Sequence, residues 1–347
     1  VLQNRISLTA DAYRRLSDGQ IMKATVPLET GESSITTNIG SVQNTGIELG
    51  LNLGVIRNQN FTWDVNLSFA RNWSKIKELP NGDDVANNWF VERLNVLRDY
   101  TSAGIITREG VTMHTINGDR HYTLQEVYDT FGPKSKNKLK WYEGQMAVND
   151  WNDDGVINDD DKQIYGCTDP KWTGSLSSSM GYKGFDFPFM LYTKQGQWAR
   201  SYFHQQYQDY KDRGRQKMSF DYYIPAGTPV MDKETGEVTA LAEAHIGSSP
   251  YPNNTEKTGG GYYSSSSASV RYHKTSFVKV KNITLGYTFP KAWLNKIAMK
   301  HLRLYVNVLN PFCFTDYKGF DPEWASANLT DGGPASVTYQ IGANIKF

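Results

Sequence analysis

The chain has 347 residues, a formal net charge of +1 from 37 Lys and Arg against 36 Asp and Glu, and an aromatic, glycine-rich composition with 21 Tyr, 15 Phe, 9 Trp and 30 Gly. That balance excludes a basic nucleic-acid binder and an acidic solvating tail, so no nucleic acid is expected among the partners. No run of about 18 apolar residues occurs, which excludes a transmembrane helix, and the longest apolar stretch, Phe187 to Tyr192, contains Pro188.

The N-terminal residues show no basic segment leading into an apolar one, so any targeting signal is expected to have been removed or the chain to be a fragment. From Ile6 onward the chain repeats a two-residue alternation, the period of a strand with one apolar and one polar face. Ile6, Leu8, Ala10 and Ala12 oppose Ser7, Thr9, Asp11 and Tyr13. Gly46 to Val55 sets Ile47, Leu49, Leu51 and Leu53 against Glu48, Gly50 and Asn52; Phe61 to Asn72 sets Phe61, Trp63, Val65 and Leu67 against Thr62, Asp64 and Asn66. Trp172 to Tyr182 alternates apolar Trp172, Leu176 and Met180 with Thr173, Ser175, Ser177 and Ser179. Asp186 to Lys194 comes after a tight Lys183-Gly184 turn, and Ser276 to Phe289 shifts phase between Val280 and Ile283, the mark of a bulge. His301 to Asn310 and Ser336 to Phe347 complete eight expected strands; helical periodicity is confined to Lys291 to Ala298.

The links near 56–60, 183–185 and 290–299 are short, whereas those near 80–171, 205–265 and 311–335 are long and rich in Gly, Asp, Asn and Tyr. Strict alternation of short and long links, with strands of about ten residues and aromatics near their ends, predicts an all-β transmembrane antiparallel barrel with short periplasmic turns and long extracellular loops. The apolar rows then face outer-membrane lipid. The Ser, Thr, Asn and Asp rows face a wet or plugged lumen, since a dry core would leave such groups unpaired at a cost. Eight strands enclose too little space for so many polar inward groups, which points to a larger even-stranded barrel.

Within the first long loop, Asp150 to Asp161 reads DWNDDGVINDDD. Asp150, Asn152, Asp154, the Val156 carbonyl, Asn158 and Asp161 occupy ligand positions one, three, five, seven, nine and twelve of a calcium loop, with Gly155 at the turn position. Asp161 is one methylene shorter than the usual Glu, and the alternative is an acidic turn whose side chains bond their own backbone. On either reading the segment fixes a loop. The long loops also carry aromatic clusters, among them Trp141 with Tyr142, and Trp198, Tyr202, Tyr207 and Tyr210. These last four are the candidates for ligand contact, against the alternative of packing the loops on one another. The six histidines show no metal spacing and are expected at the surface or lumen, and Cys167 and Cys313 are expected as isolated side chains rather than a disulfide. Nothing assembles a nucleophile with a base, so the chain is not expected to be an enzyme.

Three blocks resemble SusC/RagA-type TonB-dependent outer-membrane transporters of the Bacteroidetes. They are SSITTNIGSVQNTGIELGLNL (Ser33 to Leu53), the run from Asn149 to Phe187 that joins the acidic loop to a strand and its YKGFD turn, and the run from Val278 to Trp324 with its LGYTFP, LRLYVNVLN and GFDPEW segments. Pro311 departs from that family, which usually has Leu there, and is expected to alter only a strand end. The resemblance implies that residues 1–347 are the C-terminal eight strands of a barrel of about 22, preceded in the whole protein by a plug and a TonB-contacting segment. It also implies a SusD-like surface lipoprotein as lid, a dimer of such pairs as a further option, and import of an oligosaccharide or a peptide. The terminal Phe347 resembles the aromatic end that such barrels present to their assembly machinery. A passive porin or adhesin barrel, and a soluble calcium-dependent glycan-binding β-protein, are the competing readings.

Overall fold

The computed structural model describes residues 5–26, 30, 34–78, 94–131, 143–207, 221–232, 234–247, 272–295, 298–326 and 335–347. Eight strands form one antiparallel sheet in chain order: β1 (Ile6–Thr25), β2 (Ser34–Arg57), β3 (Phe61–Glu78), β4 (Trp172–Tyr182), β5 (Phe185–Gln195), β6 (Phe277–Thr288), β7 (His301–Thr315) and β8 (Thr338–Lys346). The sheet does not close on itself; β1 and β8 are its edges. All eight expected strands are present.

Register joins like to like. One row runs Leu8, Leu51, Leu67, Leu176, Leu191, Val280 and Phe312 across seven strands; the row beside it runs Thr9, Gly50, Ser68, Ser175, Tyr192, Lys279 and Cys313. Because the side-chain period is two, a one-residue slip at any pairing would mix the two faces. Much of the apolar face is bare, Leu8 being 68% exposed, Tyr339 75% and Ile341 87%, while Val280 beside the bulge of β6 is covered. An apolar surface this extensive does not meet water in a stable monomer.

At one end the connections are tight. Lys183 and Gly184 both have positive φ (47° and 93°) and make a two-residue hairpin turn, where a Cβ on Gly184 would lie 2.8 Å from the Thr288 carbonyl. Asn58 Oδ1 accepts the N–H groups of Asn60 and Phe61 in the β2–β3 turn. The β6–β7 connection contains a helix, but only over Lys291–Leu294, shorter than the expected Lys291 to Ala298, with Ala298 at φ 55°.

The bulge between Val280 and Ile283 is real: β5 pairs Met190 with Asn282 and Leu191 with Val280, so Lys281 is extra. Opposite it on β7, Val280 pairs with Phe312 and Asn282 with Leu309, leaving Asn310 and Pro311 unpaired, with Asn310 at φ 51°. Pro311 is therefore not at a strand end. It sits in a bulge, where its missing N–H breaks no ladder bond, and β7 continues to Thr315. Strands β1 and β2 are also longer than their alternation shows, 20 and 24 residues, about twice what spans a bilayer. Register shifts around Ser17 to Ile21 and the positive φ of Gly19 interrupt the pattern while the ladder persists to Thr25 and Ser34.

The long connection between β3 and β4, expected as a loop, contains a folded module. Three hairpin-like pairs (Val96–Tyr100 with Lys162–Cys167, Ser102–Ile105 with Met146–Val148, Val111–Thr115 with Gly118–Tyr122) and helix α1 (Leu124–Phe131) enclose a core of Ile106, Val111, Met113, Tyr122, Val127, Phe131, Ala147, Val148 and Ile157. Each large side chain buried there contributes about 1.5–3 kcal/mol. Helix α1 has no counterpart among the expected elements; its start is a reciprocal cap in which Thr123 N–H donates to Glu126 Oε2 and Glu126 N–H to Thr123 Oγ1.

Candidate functional site

The polar face of the sheet is a built surface. Ser68 and Ser175 hydroxyls lie 2.6 Å apart, Thr284 donates to Asn307 (2.9 Å) and Asn307 to Gln340 (2.9 Å), so hydrogen bonds run from strand to strand. Where the face lacks side chains, aromatics fill it: the Tyr13 ring lies over Gly46 and the Tyr305 ring over Gly342, positions a Cβ would obstruct. A hollow of about 440 Å³ opens on this face, lined by Thr9, Asp11, Glu48, Ser68, Ser175 and Tyr192 among others, with Asp11 directly opposite Glu48.

The acidic segment is a closed ring of turns. Asp150 and Asp161 are both 0% exposed. Asp150 accepts the N–H groups of Asp154 (3.3 Å) and Gly155 (2.8 Å); Asp161 accepts those of Trp151 (2.8 Å), Asn152 (3.3 Å) and Asn158 (2.8 Å). Asp154 accepts from Val156 N–H and Asn158 from Asp160 N–H, and Gly155 takes φ 74°. Burial pushes the Asp161 carboxyl up to about 6 and raises that of Asp150, and the neighbouring charges acting on them, Asp153 and Asp154 on Asp150 and Asp150 on Asp161, are acidic. The all-oxygen donor set fits Ca²⁺ in kind. Among the described residues, however, no three His, Cys, Asp or Glu side chains converge as a metal site. The side chains as they stand bond their own backbone.

Of the four aromatic candidates, the side chains of Trp198 and Tyr202 are described. Trp198 lies over Gly166 with its ring 6.0 Å from that of Tyr165, and the Lys274 ammonium lies 5.6 Å from its centroid. Tyr202 opens helix α2 (Tyr202–Tyr207) with the Arg200 guanidinium 5.5 Å from its ring. Tyr207 ends that helix; Tyr210 lies outside the described residues, as do Trp141 and Tyr142. For Trp198, packing among connections is what the structure shows.

Two clusters that the sequence does not reveal hold the connections to the wall. Lys279 Nζ, 2% exposed at the side chain, donates to Asp321 (2.8 and 2.9 Å) and to Glu323 (2.8 Å), and Lys281 Nζ donates to Glu323 (2.7 Å). The bulge at Lys281 is what turns both lysines toward the GFDPEW segment, legible in the sequence only as a motif. Beside it, Ser201 Oγ lies 2.7 Å from His204 Nδ1 and 2.5 Å from Tyr317 Oη, and the His204 and His273 rings stack at 3.7 Å. His204 is buried rather than at a surface, and burial together with the His273 charge lowers its pKa to about 4. Cys167 and Cys313 do not form a disulfide with each other, and the Cys167 Sγ–H donates to the Leu94 carbonyl.

A two-faced antiparallel sheet, apolar outside, hydrogen-bonded and polar inside, with short turns at one end and folded connections at the other, is the wall of an outer-membrane β-barrel. No family model matches the chain. Among known proteins, it is 29% identical over 357 aligned residues to the TonB-dependent receptor SusC of Bacteroides thetaiotaomicron, covering 100% of this chain and 30% of that protein. It is 28% identical to the TonB-dependent receptor P39 of Formosa agariphila, covering 100% of the chain and 34% of the relative. Its fold matches the RagAB peptide transporter with TM-score 0.68 at 18% identity, over 99% of this chain and 34% of that one, and the RagAB peptide importer in its closed-closed state with TM-score 0.64 at 19% identity, over 100% and 34%. In sequence the chain is similar to TonB-dependent receptors such as SusC, and in fold to RagAB; the apolar face of such a wall is the one that meets lipid. The chain spans about a third of the length of the curated relatives it matches (30% and 34%), none of them an enzyme.

Proposed function

We propose that this chain forms part of the barrel wall, with its surface connections, of a TonB-dependent importer that carries an oligosaccharide or a peptide across the outer membrane beneath a SusD-like lipoprotein lid. The supporting observation is the polar face: its side chains are held strand to strand by hydrogen bonds, as a wall lining a plugged or wet lumen requires, and the sequence match to SusC runs over the whole chain. On this reading the connections at residues 80–171 and 205–265 are extracellular, and the module within the first is part of the surface that meets lid and cargo. RagAB is named a peptide transporter and SusC a TonB-dependent receptor, so both cargo classes stay within the proposal.

The deciding experiment uses the full-length protein in its host. Uptake of labelled oligosaccharide and of labelled peptide is measured with and without TonB. Uptake that depends on both the transporter and TonB is the expected result. Uptake that continues at the same rate after TonB depletion would establish a passive pore instead.

We further propose that Ca²⁺ is bound by the 150–161 segment as a structural ion. The support is the pair of fully buried carboxylates, Asp150 and Asp161, with acidic neighbours. Asp150, Asn152, Asp154, Asn158, Asp161 and the Val156 carbonyl would hold it, and the ion would offset the charge of the two buried carboxylates.

A further inference from the structure

On β1 to β3 the apolar face gives way to cations toward the long connections. Register sets Arg71 beside Ile47, Arg14 and Trp73 on either side of Thr45, and Lys75 beside Gln43. Ile47 continues the row of Leu49 and Leu51, so Arg14, Arg71 and Lys75 stand on the lipid side of the wall, and all three are exposed. Two of them are held in place. The Arg71 guanidinium lies 4.4 Å from the centroid of the Trp73 ring, and Arg14 Nη2 donates to Gln43 Oε1 at 2.9 Å, while Gln43 Nε2 donates to Thr45 Oγ1 at 3.1 Å. Stacking and one amide bond orient these groups without neutralising them. The acids at this height, Asp11 and Glu48, belong to the other face, and among the described residues no carboxylate pairs with the three cations.

Height in the membrane selects the occupant. Trp172 and Tyr182 end the apolar row of β4, Trp172 packing on Phe69 with ring centroids 5.8 Å apart and Tyr182 on Phe61 at 6.5 Å. From one to the other the strand advances about 33 Å, which a tilt of about 40° reduces to about 25 Å, the height of the apolar band of an outer-membrane barrel. The two aromatic levels therefore mark the two membrane–water interfaces. Thr173 pairs with Ala70, so Arg71 is level with Trp172, and Arg14 and Lys75 lie just beyond it, at headgroup level on the side of the long connections. Unneutralised cations at that level attract phosphate, and the bond is stronger there than in bulk water. A second copy of the chain would set cations against cations. Backbone spacings put the three about 12–13 Å apart, wider than one inorganic phosphate reaches but within the span of a phosphorylated lipid headgroup. Exposed Ile47, Leu49 and Leu67 lie below, where its acyl chains would run. We propose that Arg14, Arg71 and Lys75 form a site on the outside of the wall for the phosphorylated headgroup of an outer-leaflet lipid; this rests on the barrel reading above.

The test uses full-length protein purified in detergent, with bound lipid measured by native mass spectrometry. The probes are diphosphorylated lipid A, the same lipid stripped of its phosphates, and inorganic phosphate. Wild type should bind the phosphorylated lipid about tenfold or more tighter than the stripped one, and excess inorganic phosphate should not displace it. Arg14→Gln, Arg71→Gln and Lys75→Gln combined should remove that preference, and Arg14→Gln alone should reduce it. Arg15→Gln, on the opposite face of β1 beside Asn44, should leave it unchanged. Heat-modifiable migration on a gel reports folding of each variant, and the single variant decides the matter where the triple one does not fold. Equal binding of the two lipids by folded wild type, or an undiminished preference in the folded variants, would overturn the site and leave the barrel reading intact. Displacement by inorganic phosphate would overturn the lipid assignment in favour of a free anion. Wild-type protein without heat-modifiable migration would overturn the barrel reading itself.

Discussion

Asp186 and Arg303 form an ion pair across a strand to which neither belongs. Asp186 is on β5 and Arg303 on β7, and their side chains meet over Gly286 of β6, with Nη2 to Oδ2 at 2.5 Å and Nε to Oδ1 at 2.9 Å. A Cβ on Gly286 would lie 2.5 Å from both the guanidinium and the carboxylate. Glycine is required here for space rather than for backbone conformation. Gly286→Ala should break the bidentate pair and cost at least as much as Asp186→Asn, about 1–3 kcal/mol for a partly buried charged hydrogen bond. Urea titration of the full-length barrel in lipid vesicles measures this, and an Asp186→Asn barrel as stable as wild type would show that the pair contributes nothing.

The two faces of β7 should respond differently to charge. Leu304 pairs with Tyr287 and Ala343 on the apolar face, and Asn307 with Thr284 and Gln340 on the polar face. Leu304→Arg should cost about 2–4 kcal/mol if near the bilayer midplane, and Asn307→Arg much less. Equal losses in barrel assembly would refute the face assignment.

Lys279 is the buried cation that Asp321 and Glu323 share. Lys279→Met keeps the volume and removes the charge, leaving Asp321 without its cation and Glu323 with Lys281 alone, at a cost of about 3–5 kcal/mol. Limited proteolysis should then cut the 316–326 segment faster than in wild type, while Lys281→Met, at the more exposed edge of the cluster, should do so less.

The His204 site gives a pH dependence with a definite sign. Its folded pKa, about 4, lies below the ordinary 6.5, so the neutral ring's contribution is present above pH 6.5 and is lost as pH falls through 4. A shift of that size corresponds to about 3 kcal/mol. The groups around it are Ser201, Tyr317, Phe203 and the stacked His273. Hydrogen-exchange protection factors, corrected for the intrinsic rate at each pH, should fall at 198–204, 272–275 and 315–318 between pH 6.5 and 4, and His204→Phe should flatten that response.

The 150–161 segment should become resistant to protease on addition of Ca²⁺ and lose that resistance with chelator. Asp150→Asn should abolish the difference. Protection that is the same in both conditions would mean that the backbone hydrogen bonds close the ring unaided.

The wall is legible because a strand exposed to lipid on one side and to a polar lumen on the other must write its period into the sequence. Leu304, Val306 and Val308 alternate with Arg303, Tyr305 and Asn307 for that reason. The upper halves of β1 and β2 are not legible, because beyond the lipid no face needs to be uniformly apolar and bulges near Gly19 break the phase. The module at 94–167 is hidden for a related reason. Its core is assembled from strands of three to six residues and one eight-residue helix, too short to show a period.

Sequence by itself determined the eight strands, their two faces, the unequal links and the ring of turns at Asp150 to Asp161, since each depends on neighbours within about a dozen residues. Only tertiary structure decided which distant groups meet: Asp186 with Arg303 over Gly286, Lys279 with Asp321, and Ser201 with Tyr317. Those partners stand 117, 42 and 116 positions apart, and no local pattern can encode a register that is set only when the sheet assembles.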